Sequence, residues 1–189
     1  GAHIGITGRS TQELKALQKE FRSMGVRCES IVADLTQSEA VEQVWAQVTQ
    51  AFGHVDILVN NAGIGLVGDV EKTSDEDFDR LMKVNVSGVF HCCKALVPHM
   101  LASGAGNIIN IGSVAGLVGI EQRFAYSATK GAVVAIRSPS SDSKHPSSPS
   151  YFVPVTKKGD PGVHVFTARE GLTIADPSTH LVVMDGEEA

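Results

Sequence analysis

Apolar runs of strand length alternate with apolar stripes of helical spacing along most of this chain, in units of about 30 residues. His3 to Ile6 is a short apolar stretch ending in Thr7-Gly8-Arg9, after which Ser10 and Glu13 have the S-x-x-E spacing of a capping box. Leu14, Leu17, Phe21 and Met24 then fall near one helical face, and Gly25 supplies a stop. A second unit follows at once. Val26, Cys28, Ser30 and Val32 read as a strand leading into Asp34, and Thr36 and Glu39 repeat the capping box ahead of Val41, Val44, Trp45, Val48 and Phe52, with Gly53 as terminator. Val55 to Val59 is an apolar strand of the kind buried on both faces of a parallel sheet, and it runs into Asn60-Asn61-Ala62-Gly63. From Ser74 an acidic first turn opens a long, largely apolar helix reaching Gly104, with Pro98 placed to bend it late. Asn107 to Ile111 is another buried-type strand, ending in Gly112-Ser113, and Phe124 to Ile136 returns to helical spacing. This alternation predicts an α/β fold: a doubly wound parallel sheet covered on both sides through right-handed crossovers.

A complete sheet of that kind needs roughly 200 residues or more, whereas this chain has 189, so the fold is expected to be small or incomplete. The net charge is −5, which leaves no basic surplus to neutralise nucleic-acid phosphates or to hold an anionic bilayer. No apolar run approaches the roughly 20 residues of a spanning helix, and Gly1 to Ser10 lack the layout of a signal peptide. The expected compartment is the cytoplasm, with neither nucleic acid nor membrane as partner. Three cysteines, Cys28, Cys92 and Cys93, offer no disulfide framework and no metal-ligand spacing, so they read as reduced, buried thiols. His91, Cys92 and Cys93 diverge around a helix and are expected to pack rather than to hold a metal. Met24, Trp45, Phe52 and Phe78 are expected in the core, and the charges from Glu71 to Asp79 on a solvated helix start.

Tyr126 and Lys130 stand at i and i+4 of the last predicted helix and project from one face, and Ser113 ends the strand before it. A phenol with an ordinary pKa of about 10 is a poor base at neutral pH, but an adjacent ammonium stabilises the phenolate and makes tyrosine a usable proton donor and acceptor. Lys130 would supply that charge, and Ser113 would hydrogen-bond a substrate oxygen. Asn85, polar inside an apolar helix, would hold a water or a backbone group. The implied chemistry interconverts a carbonyl and an alcohol. No side chain supplies hydride, so a nicotinamide cofactor is required.

At these residues the sequence resembles the short-chain dehydrogenase/reductase family, over roughly Gly1 to Arg137. The elements that agree in order and spacing are Asp34, the NNAG turn from Asn60 to Gly63, the asparagine of Val84-Asn85-Val86, Ser113, and the YSATK run from Tyr126 to Lys130. The resemblance implies a Rossmann-like sheet in which Tyr126 is the catalytic acid/base and Lys130 binds the nicotinamide ribose and tunes the tyrosine. Ser113 would orient the substrate, a small ketone or secondary alcohol, and Asn85 would complete the tetrad. Asn60, Ala62 and Gly63 would line the cofactor, and Asp34 with Leu35 would approach its adenine. It also implies a homodimer or homotetramer formed through the helices at 74–103 and from Phe124 onward.

The sequence departs from the family's pattern in three places. The family's TGxxxGxG turn is not among its residues; Gly1 and Ala2 look like the end of the helix that follows that turn, and Gly5-x-x-Gly8 lies within and after a strand, so the first strand and glycine-rich loop are expected to be absent. Ser and Pro make up 10 of the 13 residues from Ser138 to Ser150. The expected division is therefore a partial Rossmann-like domain at 1–137, a Ser/Pro-rich linker or loop at 138–160, and a divergent remnant of the C-terminal strands at 161–189. In that remnant Gly162 to Val165 and Leu181 to Met184 have strand-like runs, and His180 to Gly186 resembles the family's last strand. Gly8 stands where the family's acid would grip a ribose 2′-OH, and Arg9 beside it favours NADP(H) over NAD(H). The alternative function is a catalytically silent fragment that keeps the tetrad, cannot hold cofactor and acts through subunit association. An epimerase or dehydratase of the extended branch shares Y-x-x-x-K but is disfavoured by the NNAG turn and the short C-terminal part.

Overall fold

The computed structural model describes residues 2–103 and 106–136, together with two further strands. In chain order these are β1 (His3–Gly8), α1 (Thr11–Ser23), β2 (Cys28–Val32), α2 (Ser38–Phe52), β3 (Ile57–Asn60), α3 (Asp75–Met82), α4 (Gly88–Ser103), β4 (Asn107–Ser113), α5 (Phe124–Ala135), β5 (Tyr151–Val155) and β6 (His180–Met184). All strand pairs are parallel, in the order β2-β1-β6-β3-β4-β5.

Local chemistry sets most element ends. Ser10 caps α1, its Oγ accepting from the Glu13 amide at 3.3 Å, and Gly25 and Gly53 take φ of +77° and +85° just after α1 and α2. The second capping box does not form. The Thr36 amide donates to Asp34 Oδ1 at 2.9 Å and the Gln37 amide to the Asp34 carbonyl at 3.1 Å, so the chain makes a turn there and α2 begins one residue later than expected, with Gln37 as its N-cap. The single long helix expected from Ser74 is α3 and α4 joined by a π turn at Lys83–Ser87, and α4 runs on through Pro98.

Two apolar clusters cover opposite faces of the sheet. On one face α2 and α4 bring Val41, Val44, Val48, Cys92 and Leu96 onto Ile31, Leu58 and Ile108. On the other, Leu14 of α1 meets Ile6 and Cys28. Burial of Leu58, Leu81, Val41, Val44 and Val48 stabilises the fold by about 1.5–3 kcal/mol per side chain. Phe52 is buried as expected, and Trp45 and Phe78 pack partly buried against the clusters. Met24 is a correction: it is 59% exposed, because it is the C-cap of α1 and the chain turns away at Gly25.

Two strands come from the chain beyond Arg137, one inside the stretch read as linker and one at the expected run Leu181 to Met184. β5 falls inside 138–160, the stretch read as linker or loop: it pairs with β4 and is the sheet edge among the described strands, a position that tolerates Pro154. β6, which resembles a last strand, occupies the middle of the sheet, paired with β1 on one side and β3 on the other. A short apolar run suits a slot hydrogen-bonded along both edges. The expected strand at Gly162 to Val165 lies outside the described residues. From β1 the chain steps outward to β2, and from β3 it steps the other way to β4 and β5, so the winding reverses between β1 and β3.

Candidate active site

Parallel strands end on one edge of the sheet, and a reversal of winding opens a crevice there. The sequence-predicted residues come to that edge: Arg9 just beyond β1, Asp34 and Leu35 beyond β2, Asn60 to Gly63 at and beyond β3, and Ser113 at the end of β4. Tyr126 and Lys130 lie in the first turns of α5, which follows β4.

Asn85 is the most constrained member. It is 1% exposed, its Oδ1 accepts from the Ile64 amide at 2.8 Å, and its Nδ2 donates to the Ile64 carbonyl and to Thr129 Oγ1, both at 2.9 Å. Thr129 in turn donates to the Tyr126 carbonyl at 2.8 Å. The π turn is what aims Asn85 at these groups from within an otherwise apolar helix, and it pins the loop after β3 to α5. Thr129 was missed at the sequence level, although it stands inside the YSATK run.

Lys130 is also buried. Its Nζ donates to the Ile111 carbonyl at 3.0 Å and lies 5.8 Å from the centre of the Tyr126 ring, and burial pushes its pKa below the usual lysine range. The Arg123 guanidinium stands 6.0 Å from the centre of the same ring and donates to the Leu66 carbonyl at 3.2 Å. Arg123 was not singled out in the sequence, where it reads as an ordinary charge before a helix. The Ser113 hydroxyl accepts from the Ala115 amide at 3.2 Å, so it caps the short 3₁₀ turn after β4.

At the far end of the crevice the Asp34 carboxyl is half-buried. Burial raises its pKa, but the amide and hydroxyl of Thr36, with Arg9 and Lys83 nearby, hold it below the ordinary carboxylate value. Leu35 is buried against the α2 and α4 cluster, and Arg9 is exposed. Asn60 is placed differently from the other turn residues. Its side chain faces into the protein, 3% exposed, where Nδ2 donates to Asn110 Oδ1 at 2.8 Å and meets Cys93 Sγ at 3.5 Å. Cys92 belongs to the core, and among the described residues no group of three or more His, Cys, Asp or Glu side chains forms a metal site. No described helix is long and apolar enough to cross a membrane.

Whether a dinucleotide fits can be judged at Gly63. A Cβ there would lie 3.3 Å from Lys130 Nζ and 3.4 Å from Asn85 Oδ1, so only a glycine leaves the backbone bare over these two polar groups. The bare backbone at Gly63 is thus compatible with a ligand lying against Lys130 and Asn85. Gly5 and Gly8, by contrast, are ladder residues of β1 and form no phosphate-binding turn.

A parallel sheet wound both ways, with a tyrosine, a buried lysine and a buried asparagine at its carboxyl edge, is a Rossmann-like α/β fold. The sequence profile of the short chain dehydrogenases matches residues 1–143, and the chain belongs to that family. It is 40% identical over 136 residues to an uncharacterized oxidoreductase of Thermotoga maritima, covering 72% of this chain and 53% of that protein. The structure of gluconate 5-dehydrogenase from Burkholderia cenocepacia in complex with NADP and tartrate is similar with a TM-score of 0.73 and 33% identity, over 80% of this chain and 60% of that one. NAD⁺-bound xylitol dehydrogenase is similar with a TM-score of 0.67 and 29% identity, over 70% and 61%. Solved relatives thus carry either NADP or NAD. The chain spans about half the length of the curated relatives it matches.

Proposed function

We propose that the site interconverts a small ketone and a secondary alcohol, with Tyr126 as general acid/base. The observation that carries this reading is the grouping of Lys130 Nζ and Asn85 Oδ1 beneath Gly63, with the Tyr126 ring beside the lysine. A bound nicotinamide would supply the hydride. Tyr126 gives its phenolic proton to the substrate oxygen as the C–H bond forms, and takes it back in the oxidative direction. Lys130 holds positive charge near the ring and would hold a ribose hydroxyl of the bound nucleotide. Ser113 orients the substrate oxygen, for which its hydroxyl keeps a donor hydrogen while it accepts from Ala115. Asn85 keeps the loop after β3 and α5 in register, and Ala62 and Gly63 line the cofactor.

At the adenine end Asp34 and Leu35 would meet the base. We propose NADP(H) over NAD(H), because exposed Arg9 offers a guanidinium to a 2′-phosphate and Gly8 offers no acid to a 2′-OH. A homodimer or homotetramer is proposed through α4, whose Phe90 and Leu101 are more than half exposed.

A second reading rests on the ladder positions of Gly5 and Gly8: the chain keeps the catalytic side chains, holds no cofactor, and acts only through subunit association. Fluorescence titration of the 189-residue chain with NADPH and NADH separates the two. Saturable binding with NADPH tighter, together with carbonyl reduction that Tyr126→Phe abolishes, is expected. No binding of either nucleotide favours the silent reading, tighter NADH binding reverses the cofactor preference, and full activity in Tyr126→Phe overturns the mechanism.

A further inference from the structure

The first turn of α4 runs along the turn that carries Asp34. Gly88 comes close enough that a Cβ on it would touch Leu35, at 3.7 Å from that residue's Cβ and 3.8 Å from its carbonyl oxygen. One helical turn on, His91 Nδ1 lies 3.0 Å from the same carbonyl oxygen. A carbonyl only accepts, so Nδ1 carries the hydrogen and donates, which fixes the tautomer of the neutral ring. The Leu35 carbonyl belongs to the peptide unit whose other end is the Thr36 amide, and that amide donates to Asp34 Oδ1 at 2.9 Å. Because the peptide is planar and trans, its oxygen and its N–H point in opposite directions and turn together. Holding the oxygen therefore aims the N–H.

We infer that His91 is a positioning residue for the adenine end of the crevice: it locks the Leu35–Thr36 peptide plane, and that plane fixes the Asp34 carboxylate. The link to nucleotide binding rests on the reading of Asp34 and Leu35 given above, whereas the link to Asp34 stands on this geometry alone. The same α3–α4 segment thus serves both ends of the crevice. The π turn directs Asn85 toward Ile64 and Thr129, and the regular turn after it directs Gly88 and His91 toward Leu35. Without the ring donor, the peptide is free to rotate, and the carboxylate loses an amide that faces it. Arg9 and Lys83, the charged groups near Asp34, remain in place to attract it.

The test compares the wild type with His91→Phe, which removes the donor, and His91→Asn, whose Nδ2 is bonded to Cγ as the ring Nδ1 is and so keeps an N–H for the carbonyl. The first readout is the titration of the Asp34 side-chain carboxyl by NMR on the nucleotide-free chain. His91→Phe is expected to move its pKa up toward the ordinary carboxylate value, and His91→Asn to restore most of the wild-type position. The second readout is the Kd for 2′,5′-ADP, which His91→Phe should weaken about fivefold, the worth of one hydrogen bond, while nicotinamide mononucleotide binding stays unchanged. Should the phenyl ring disturb α4, His91→Leu, which likewise lacks a donor, gives the same comparison. An Asp34 titration identical in wild type and in both donor-free variants overturns the proposal. If Asp34 shifts as expected but the wild type binds neither nucleotide, the positioning holds and the nucleotide reading fails.

Discussion

A Cβ on Gly63 would stand 3.3 Å from Lys130 Nζ, closer than side-chain atoms ordinarily approach, and the φ of Gly63 is not positive. The glycine is therefore required for space above the lysine and not for backbone conformation. Gly63→Ala should push the ammonium aside and fill that space, lowering NADPH affinity about tenfold if that surface carries the nicotinamide ribose. Lysine is flexible at its end, so the melting temperature should change little. A fluorescence titration beside a thermal melt checks both halves, and unchanged affinity would remove Gly63 from the cofactor surface.

Periodicity and spacing made the winding legible. Leu14, Val41, Val44 and Val48 are buried on the faces that the apolar stripes marked, and the Ser10 cap with the Gly25 and Gly53 stops bounds α1 and α2. The Thr36 cap was misread because a carboxylate two residues earlier outcompetes a hydroxyl for nearby amides, and sequence spacing does not rank competing acceptors. β6 illustrates a different limit. Its apolar run identifies a strand, yet nothing in four or five residues says whether it belongs at an edge or between β1 and β3. Within the site, residue types were legible and partners were not. Asn85 stood out as a polar residue in an apolar helix, but its bonds to Ile64 and Thr129 depend on a π turn that no local signal announces.

Those bonds make Asn85 a stability residue as well. Asn85→Ala would leave the amide and carbonyl of Ile64 buried without partners, at about 1–3 kcal/mol for each group left unsatisfied. Urea unfolding should show a loss of roughly 2–4 kcal/mol without a change in slope. A loss under about 0.5 kcal/mol, the size expected of a surface change, would mean that the loop after β3 is held by something else.

Gly116 and Gly131 face each other across the contact between the 3₁₀ turn and α5, but they differ in what a methyl group would meet. At Gly116 it would lie 2.6 Å from the Lys130 carbonyl carbon and 2.8 Å from the Gly131 amide nitrogen, all backbone, so the turn and helix must part. At Gly131 the nearest atom is the Gly116 oxygen at 3.7 Å, an ordinary contact. Gly116→Ala should cost about 1–3 kcal/mol, whereas Gly131→Ala should be neutral or stabilise the helix by up to about 1 kcal/mol. Opposite signs in parallel urea titrations are the expected result, and equal losses would sink the distinction.

Burial raises the pKa of all three thiols, Cys92 to about 12, so little thiolate exists at neutral pH while the chain is folded. Iodoacetamide at pH 7.5 should modify the folded protein at least about tenfold more slowly than the protein in urea, where three alkylations should appear by mass. Rapid single labelling of the folded chain would show that the half-buried Cys93 is more open than its contact with Asn60 implies.

Lys130 gives the fold a pH dependence of defined sign. Its pKa in the folded chain lies below the ordinary 10.5, so between those two values the unfolded chain binds more protons. The cost of the buried ammonium is therefore present in full at neutral pH, falls as pH rises through the folded value, and is gone above 10.5. Lys130→Met removes the titration along with the bond to Ile111, and the loss of that bond shifts stability by a pH-independent amount. The stability of the wild type relative to Lys130→Met should thus climb as pH is raised from 7 toward 11, whatever its starting offset. Urea unfolding across that range measures the difference curve. A flat curve would mean that Lys130 titrates alike in both states, and that its ammonium reaches water from the site.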